Sequence, residues 1–240
     1  MTGRRLWAVV PAAGVGWRME ADRPKQYLDL AGRPVIEWSL ERLLDHPRVD
    51  GVVVAVADHD ARWADLGYRH AKPIHRVAGG AERCHSVLSA LDYLAVKAGA
   101  GDRVLVHDAV RPCLTAGELE RLLDAGFDHP DGALLAMPVR DTLKRGNGAG
   151  VVEGTVDRDG LWHAQTPQLF PLDLLRTALR AAVAAGSPVT DEAWAVEAAG
   201  GRPLLVEGEA TNLKVTRRAD LHLASLILAS FAPDRPAGEP

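Results

Sequence analysis

The sequence predicts the α/β class: a single Rossmann-like domain, a mostly parallel twisted sheet with helices on both faces, and a protruding β-arm. Three observations carry that expectation. Short β-branched apolar runs recur along the chain, segments of helical periodicity separate them, and one polar, glycine-bearing stretch at 139–162 interrupts the rhythm. Strands of a parallel sheet should be apolar nearly throughout, because helices cover both sides.

Residues 6–10 form the first strand. Arg4 and Arg5 ahead of it give a superficial likeness to a signal peptide, but Pro11, Gly14 and Gly16 interrupt the run and Arg18 closes it, as at the end of a buried strand. Residues 52–57, 104–107 and 133–137 are further strands. Pro34 opens a helix whose Ile36, Leu40, Leu43 and Leu44 share one face; proline suits a first turn, where its missing N–H has no intrahelical partner anyway. A second helix runs from about Glu82 to Lys97 on Val87, Leu88, Leu91 and Leu94, and a third follows Thr115, which makes a capping box with Glu118. The stretch 139–162 has no helical stripe and reads as a surface loop or an arm that packs on something else. Helical patterns resume at 172–185 and 191–199, followed by a strand at 203–206 and a closing helix over 217–231. The expected organisation is one domain over residues 1–231, its arm at about 139–162, and a disordered tail over 232–240.

The 240 residues carry 28 Lys+Arg against 32 Asp+Glu, a net charge of −4 that argues against a general nucleic-acid binder, which needs a basic face. Anions can still bind through locally placed cations or backbone N–H groups. With 47% hydrophobic and 25% charged residues, the composition is that of a soluble globular enzyme, not of a disordered chain. The most apolar late stretch, 221–233, is 13 residues long and contains His222, short of the roughly 18 to 20 a membrane span needs. Cys84 and Cys113 are the only cysteines, which suits the reduced thiols of a cytoplasmic protein.

The chemistry gathers after the first strand, at Pro11-Ala12-Ala13-Gly14-Val15-Gly16-Trp17-Arg18-Met19 and then Pro24-Lys25-Gln26-Tyr27. Small residues there let the backbone approach a ligand, and successive N–H groups can cradle phosphate oxygens. Met19 stands where a dinucleotide fingerprint needs its third glycine, which weakens a hydride-transfer reading even though Asp58 closes the second strand. The Gly-Lys-Ser/Thr of a Walker loop is missing. What remains is a glycine loop with two cations, Arg18 and Lys25, seven residues apart; the bland alternative is a pair of solvated loop charges. His107 reads as a structural strand-end histidine, the nine histidines show no metal-ligand spacing, and Cys113 has only Arg111 nearby to activate it.

The loop resembles that of the sugar-phosphate nucleotidyltransferases. Later motifs narrow the likeness to the 2-C-methyl-D-erythritol 4-phosphate cytidylyltransferases: Gly79-Gly80-Ala81-Glu82-Arg83 with Ser86-Val87, Val106-His107-Asp108-Ala109-Val110-Arg111-Pro112, Thr155-Val156-Asp157-Arg158, Thr166-Pro167-Gln168, Thr190-Asp191-Glu192 and Asn212-Leu213-Lys214-Val215-Thr216. The likeness covers about residues 6 to 228. It implies transfer of CMP from CTP to a polyol phosphate in the non-mevalonate route to isoprenoid precursors. It further implies that Ala12, Ala13, Gly14 and Gly16 meet the nucleotide with Asp108 and Ala109, and that Gly80, Ala81 and Ser86 read the cytosine edge. Arg18 and Lys25 would be the catalytic cations, holding the triphosphate. Asp108, Arg111, Thr142, Arg158, Thr166, Thr190 and Lys214 would bind the polyol phosphate, and Asp108 would help hold Mg²⁺ directly or through water. A homodimer that exchanges arms is implied as well. A ribitol 5-phosphate cytidylyltransferase would share this fold and chemistry, although the intact Thr155–Arg158 and Thr166–Gln168 motifs favour the methylerythritol acceptor. An NAD-dependent oxidoreductase is disfavoured by Met19, and a non-catalytic nucleotide sensor by the presence of Lys25 and Asp108.

Overall fold

The computed structural model describes residues 3–14, 23–99 and 101–231. Its strands are β1 (Leu6–Pro11), β2 (Asp29–Leu30), β3 (Arg33–Pro34), β4 (Gly51–Val56), β5 (Ile74–Ala78), β6 (Arg103–Val106), β7 (Ala133–Pro138), β8 (Leu143–Gly146), β9 (Val152–Val156), β10 (Trp162–Pro171) and β11 (Leu204–Glu207). The helices are α1 (Val35–Leu44), α2 (Ala61–Leu66), α3 (Arg83–Ala95), α4 (Ala116–Gly126), α5 (Leu172–Ala184), α6 (Glu192–Ala198) and α7 (Arg218–Phe231). Seven strands make the main sheet in the order β11-β7-β10-β6-β1-β4-β5. Neighbours are parallel except at β10, which runs antiparallel to both β6 and β7.

The alternation of side chains along β1 divides the core. Ala8 and Val10 face one side, with Val52, Val54 and Val56 of β4, and pack on Leu40, Leu43 and Leu44 of α1 and Leu119, Leu122 and Leu123 of α4. Trp7 and Val9 face the other, with Val53, Val104 and Val106, and meet Val87, Leu91 and Leu94 of α3 and Leu175 and Leu179 of α5. Full burial of one such leucine stabilises the fold by about 1.5–3 kcal/mol. A third cluster seats Ala224 and Leu228 of α7 against Leu30, Val35, Val110, Cys113 and Val215. The capping box forms as expected: Thr115 Oγ1 accepts from Glu118 N at 3.1 Å, and Glu118 Oε2 accepts from Thr115 N at 3.0 Å.

Four pieces escaped the sequence reading: the β2–β3 hairpin, α2, β5 and β10. β5 reads Ile-His-Arg-Val-Ala, half polar because it is the edge of the sheet. β10 continues where the arm was expected to end, and its polar first half and internal Pro167 hide a strand that pairs irregularly between Ala164 and Gln168. The stretch 139–162 carries the hairpin β8–β9. It leaves and rejoins the sheet at one point, where Pro138 pairs with Trp162 and Val139 N donates to Leu161 O at 2.9 Å. Val151, Val152, Leu161 and Trp162 are exposed along it. The tail at 232–240 lies outside the described residues. No helix among the described residues is long and apolar enough to cross a membrane.

Candidate active site

Two loops at the carboxyl ends of the parallel strands meet to form a cleft, where ligands of open α/β sheets bind. The first follows β1. Ala12 N donates to Ala55 O at 2.7 Å, and the buried Gln26 amide donates to Ala12 O at 2.8 Å and Gly14 O at 3.2 Å. Gln26 therefore anchors the loop from the 3-10 turn Lys25–Tyr27, which also brings Lys25 to the cleft. Tyr27 fixes that turn by donating to Asp60 Oδ2 at 2.7 Å; burial and this carboxylate push its phenol well above the ordinary range.

The second loop follows β5. A Cβ on Gly79 would lie 2.3 Å from Ala13 Cβ, so only glycine lets the two loops touch. Gly80 N donates to Ser86 Oγ at 3.1 Å, and that hydroxyl donates to Glu82 O at 3.2 Å, closing a tight turn onto α3.

Asp108 stands just past β6, buried, at the centre of a charged cluster. Arg83 Nε donates to its Oδ1 at 2.9 Å, Lys214 Nζ lies 2.8 Å from its Oδ2, and Arg111 Nε lies 3.8 Å from Oδ2. Burial alone would raise the Asp108 carboxyl, but Arg83 and Lys214, then Arg111, hold it well below the usual carboxylate range. It is ionised at neutral pH. Arg83 also grips Glu192 with two bonds, of 2.6 and 3.0 Å. Burial works against the Arg83 charge, yet Glu192 and Asp108 together hold its pKa above the ordinary value.

Behind Asp108 sits a neutral histidine. His107 Nε2 faces Arg111 O at 3.1 Å and must donate to it, so Nδ1 accepts from Thr166 Oγ1, also at 3.1 Å. Asp108 N donates to the same Thr166 oxygen at 3.1 Å. Asn212 completes the wall: its side-chain amide donates to Thr166 O at 2.9 Å, and its backbone carbonyl accepts from Arg111 at 2.6 Å. Cys113 lies in the α7 core, where burial pushes its thiol up to about 11.

Ala12, Ala13, Gly14, Lys25, Gly80, Ala81, Ser86, Asp108, Ala109 and Lys214 thus line one cleft. Arg111 and Thr166 sit directly behind it, bonded to its walls. Thr142 and Arg158 are exposed on the arm, Arg158 donating to Arg140 O, and Thr190 is exposed ahead of α6. Gly16 and Arg18 lie outside the described residues. Sequence reasoning gave no role to Gln26, Arg83 or Glu192, although each stood within a quoted motif. The available signal was polarity in a segment that otherwise packs as core. An ionised carboxylate lining an open cleft, as Asp108 does, is the kind of ligand Mg²⁺ takes, since that ion is commonly held by one or two carboxylates plus substrate oxygens.

A small-residue loop after β1, a tight turn beside it and a cation-held aspartate after a central strand fit the nucleotidyltransferase class. The profile of the 2-C-methyl-D-erythritol 4-phosphate cytidylyltransferase family matches residues 6–230. The enzyme of that name from Halorhodospira halophila is 62% identical over 230 residues, covering 94% of this chain and 95% of that protein. The one from Pseudomonas aeruginosa strain PAO1 is 54% identical over 217 residues, covering 90% and 93%. A crystal structure of 4-diphosphocytidyl-2C-methyl-D-erythritol synthase superposes with a TM-score of 0.83 at 38% identity, covering 94% of this chain and 99% of that one. The Francisella tularensis enzyme gives 0.80 at 33% identity, covering 93% and 99%. The chain belongs to the 2-C-methyl-D-erythritol 4-phosphate cytidylyltransferase family.

Proposed function

We propose that the cleft holds CTP with its triphosphate against the loop after β1 and its base against the turn after β5, the polyol phosphate entering beside Asp108. The chain transfers CMP from CTP to 2-C-methyl-D-erythritol 4-phosphate, giving 4-diphosphocytidyl-2-C-methyl-D-erythritol and pyrophosphate in the non-mevalonate pathway. One observation carries the residue roles: loops touching at Gly79 and Ala13 bring Lys25, Lys214 and the Gly80 turn around an ionised Asp108.

The reaction joins two anions, so the walls must supply positive charge. At neutral pH the acceptor phosphate is mostly a dianion, with its second pKa near 6. Its oxygen attacks the α-phosphorus in line, the bond to pyrophosphate breaks, and no side chain has to take a proton. Arg18 and Lys25 hold the triphosphate and stabilise the charge that builds up at the α-phosphorus. Lys214 and Arg111 hold the acceptor phosphate, while Asp108 orients the acceptor. Mg²⁺ held by Asp108 and the phosphate oxygens would neutralise part of that charge. Backbone acceptors around Gly80 read the cytosine amino group, which uracil lacks.

Thr142 and Arg158 stand on the arm, outside the lining of their own chain's cleft. The exposed Val151, Val152, Leu161 and Trp162 beside them support a twofold homodimer in which each arm lies on the other copy and delivers Arg158 there. Two buried free thiols agree with a cytoplasmic enzyme. Pyrophosphate release tests the reading, with CTP or UTP as donor and the methylerythritol or ribitol phosphate as acceptor. CTP with the methylerythritol phosphate should be the productive pair. A preference for ribitol 5-phosphate, or UTP within about tenfold of CTP, would overturn the acceptor or the base assignment.

A further inference from the structure

The turn between Gly80 and Ser86 carries three side chains that the transfer reaction does not use. Glu82, Cys84 and His85, at the start of α3, each offer one ligand atom, and these atoms all lie within 4.8 Å of one another. Cys84 is 5% exposed, with Sγ 3.9 Å from Glu82 Oε2, and Glu82 reaches solvent at the cleft. His85 Nδ1 is buried and has no hydrogen-bond partner. A buried ring nitrogen left without a partner is costly unless something binds it.

We propose that Glu82, Cys84 and His85 form a binding site for a thiophilic divalent cation of the Zn²⁺ class, separate from the hard cation that the substrate phosphates attract. The donor set decides the class. A thiolate, an imidazole and a carboxylate suit Zn²⁺, whereas Mg²⁺ takes oxygen ligands in octahedral geometry. Ligand atoms of a tetrahedral zinc site stand about 3.4–3.8 Å apart. Cys84 Sγ and Glu82 Oε2, 3.9 Å apart, are already close to that spacing, and water completes the fourth corner. On binding, the Cys84 S–H bond breaks and its proton leaves to solvent; the thiolate sulfur, the imidazole nitrogen and the carboxylate oxygen each donate an electron pair to the metal.

The site adjoins the base-reading turn. A Cβ on Gly80 would lie 2.3 Å from His85 Cβ, and Glu82 O holds the Ser86 hydroxyl that accepts from Gly80 N. Drawing Glu82 and His85 onto a metal therefore pulls on the turn. This coupling alone rests on the nucleotide reading.

Titration of Co²⁺ into the reduced full chain without nucleotide tests the site directly. A single equivalent should produce a thiolate-to-cobalt charge-transfer band with tetrahedral d–d bands, bleached by Zn²⁺ and untouched by excess Mg²⁺. Cys84→Ser should abolish the charge-transfer band, and His85→Ala, at a partly exposed position, should weaken Zn²⁺ binding by at least about tenfold with an unchanged far-UV spectrum. Absence of the band in the parent chain, or its survival in Cys84→Ser, overturns the assignment. Should Cys84→Ser fail to fold, unchanged Zn²⁺ affinity in His85→Ala overturns it instead. In excess Mg²⁺, Zn²⁺ should weaken CTP binding to the parent chain and not to His85→Ala; equal weakening of both would refute the coupling and leave the cobalt result to decide the site.

Discussion

Acid should destabilise this protein through His107. The ring is 0% exposed, and its two hydrogen bonds, to Arg111 O and from Thr166 Oγ1, require a neutral imidazole. Burial drives its pKa from 6.5 down to about 4, outweighing the upward pull of the Arg111 carbonyl and the Asp108 charge. In the unfolded chain the same ring titrates near 6.5. Between those two values the unfolded state takes up a proton that the folded state refuses, so stability falls as the pH falls through the window. Each pH unit is worth about 1.4 kcal/mol, and the window amounts to about 3 kcal/mol from this one group. Denaturant unfolding from about pH 7 to about pH 4 measures it, with His107→Gln as the reference, because an amide can donate and accept there without titrating. The parent chain should lose about 3 kcal/mol more than the variant across that range. Parallel pH dependences for the two chains would refute the reasoning.

Arg83→Ala takes the shared partner from two buried carboxylates, Asp108 and Glu192, the latter 1% exposed, with burial already pushing its carboxyl up. The cost should be about 3–5 kcal/mol, a fall in Tm of roughly 6–20 °C, recovered only in part by adding Glu192→Leu because Asp108 stays behind with Lys214 and Arg111. A thermal shift below about 3 °C would show that the pair contributes little. Lys25→Ala should lower kcat far more than it raises the KM for CTP, by roughly 2.7–4 kcal/mol in the barrier, since its partner charge develops in the transition state. Steady-state kinetics with unchanged kcat and a raised KM would remove Lys25 from that role. Lys25→Ala chains mixed with Arg158→Ala chains should regain activity as subunits exchange. Half the dimers would be mixed, each with one intact site, so about a quarter of all sites recover. Proven exchange without recovery would mean that both residues serve one site from a single chain.

The sequence made β1, β4, β6 and β7 legible because both of their faces are buried, and continuous apolar runs such as Val52-Val53-Val54 can hardly be anything else. It hid β5 and β10 for the opposite reason. An edge strand exposes half its side chains, and β10 breaks its ladder between Ala164 and Gln168, where Thr166 bonds to His107 and Asp108 instead. The cleft was legible wherever a motif sets small or charged residues at a strand end, as at Lys25, Gly80 and Asp108, which do line it. Arg83 was harder to see, because its importance lies in bridging two carboxylates, Asp108 and Glu192, the second 109 residues away in sequence. That is a fact of tertiary packing with no local signal. Gln26 is similar: its amide matters for the two carbonyls it reaches, which only the folded loop brings to it.

The junction at which the arm leaves the sheet makes it a detachable module. Because Pro138 pairs with Trp162 and Val139 N with Leu161 O, the chain departs and returns through neighbouring positions of one antiparallel ladder. A short hairpin turn joining those positions would keep the register of β7 and β10. The core therefore sets only where the arm begins and ends; changes of length at its tip, Asn147–Gly150, leave the register of β7 and β10 untouched.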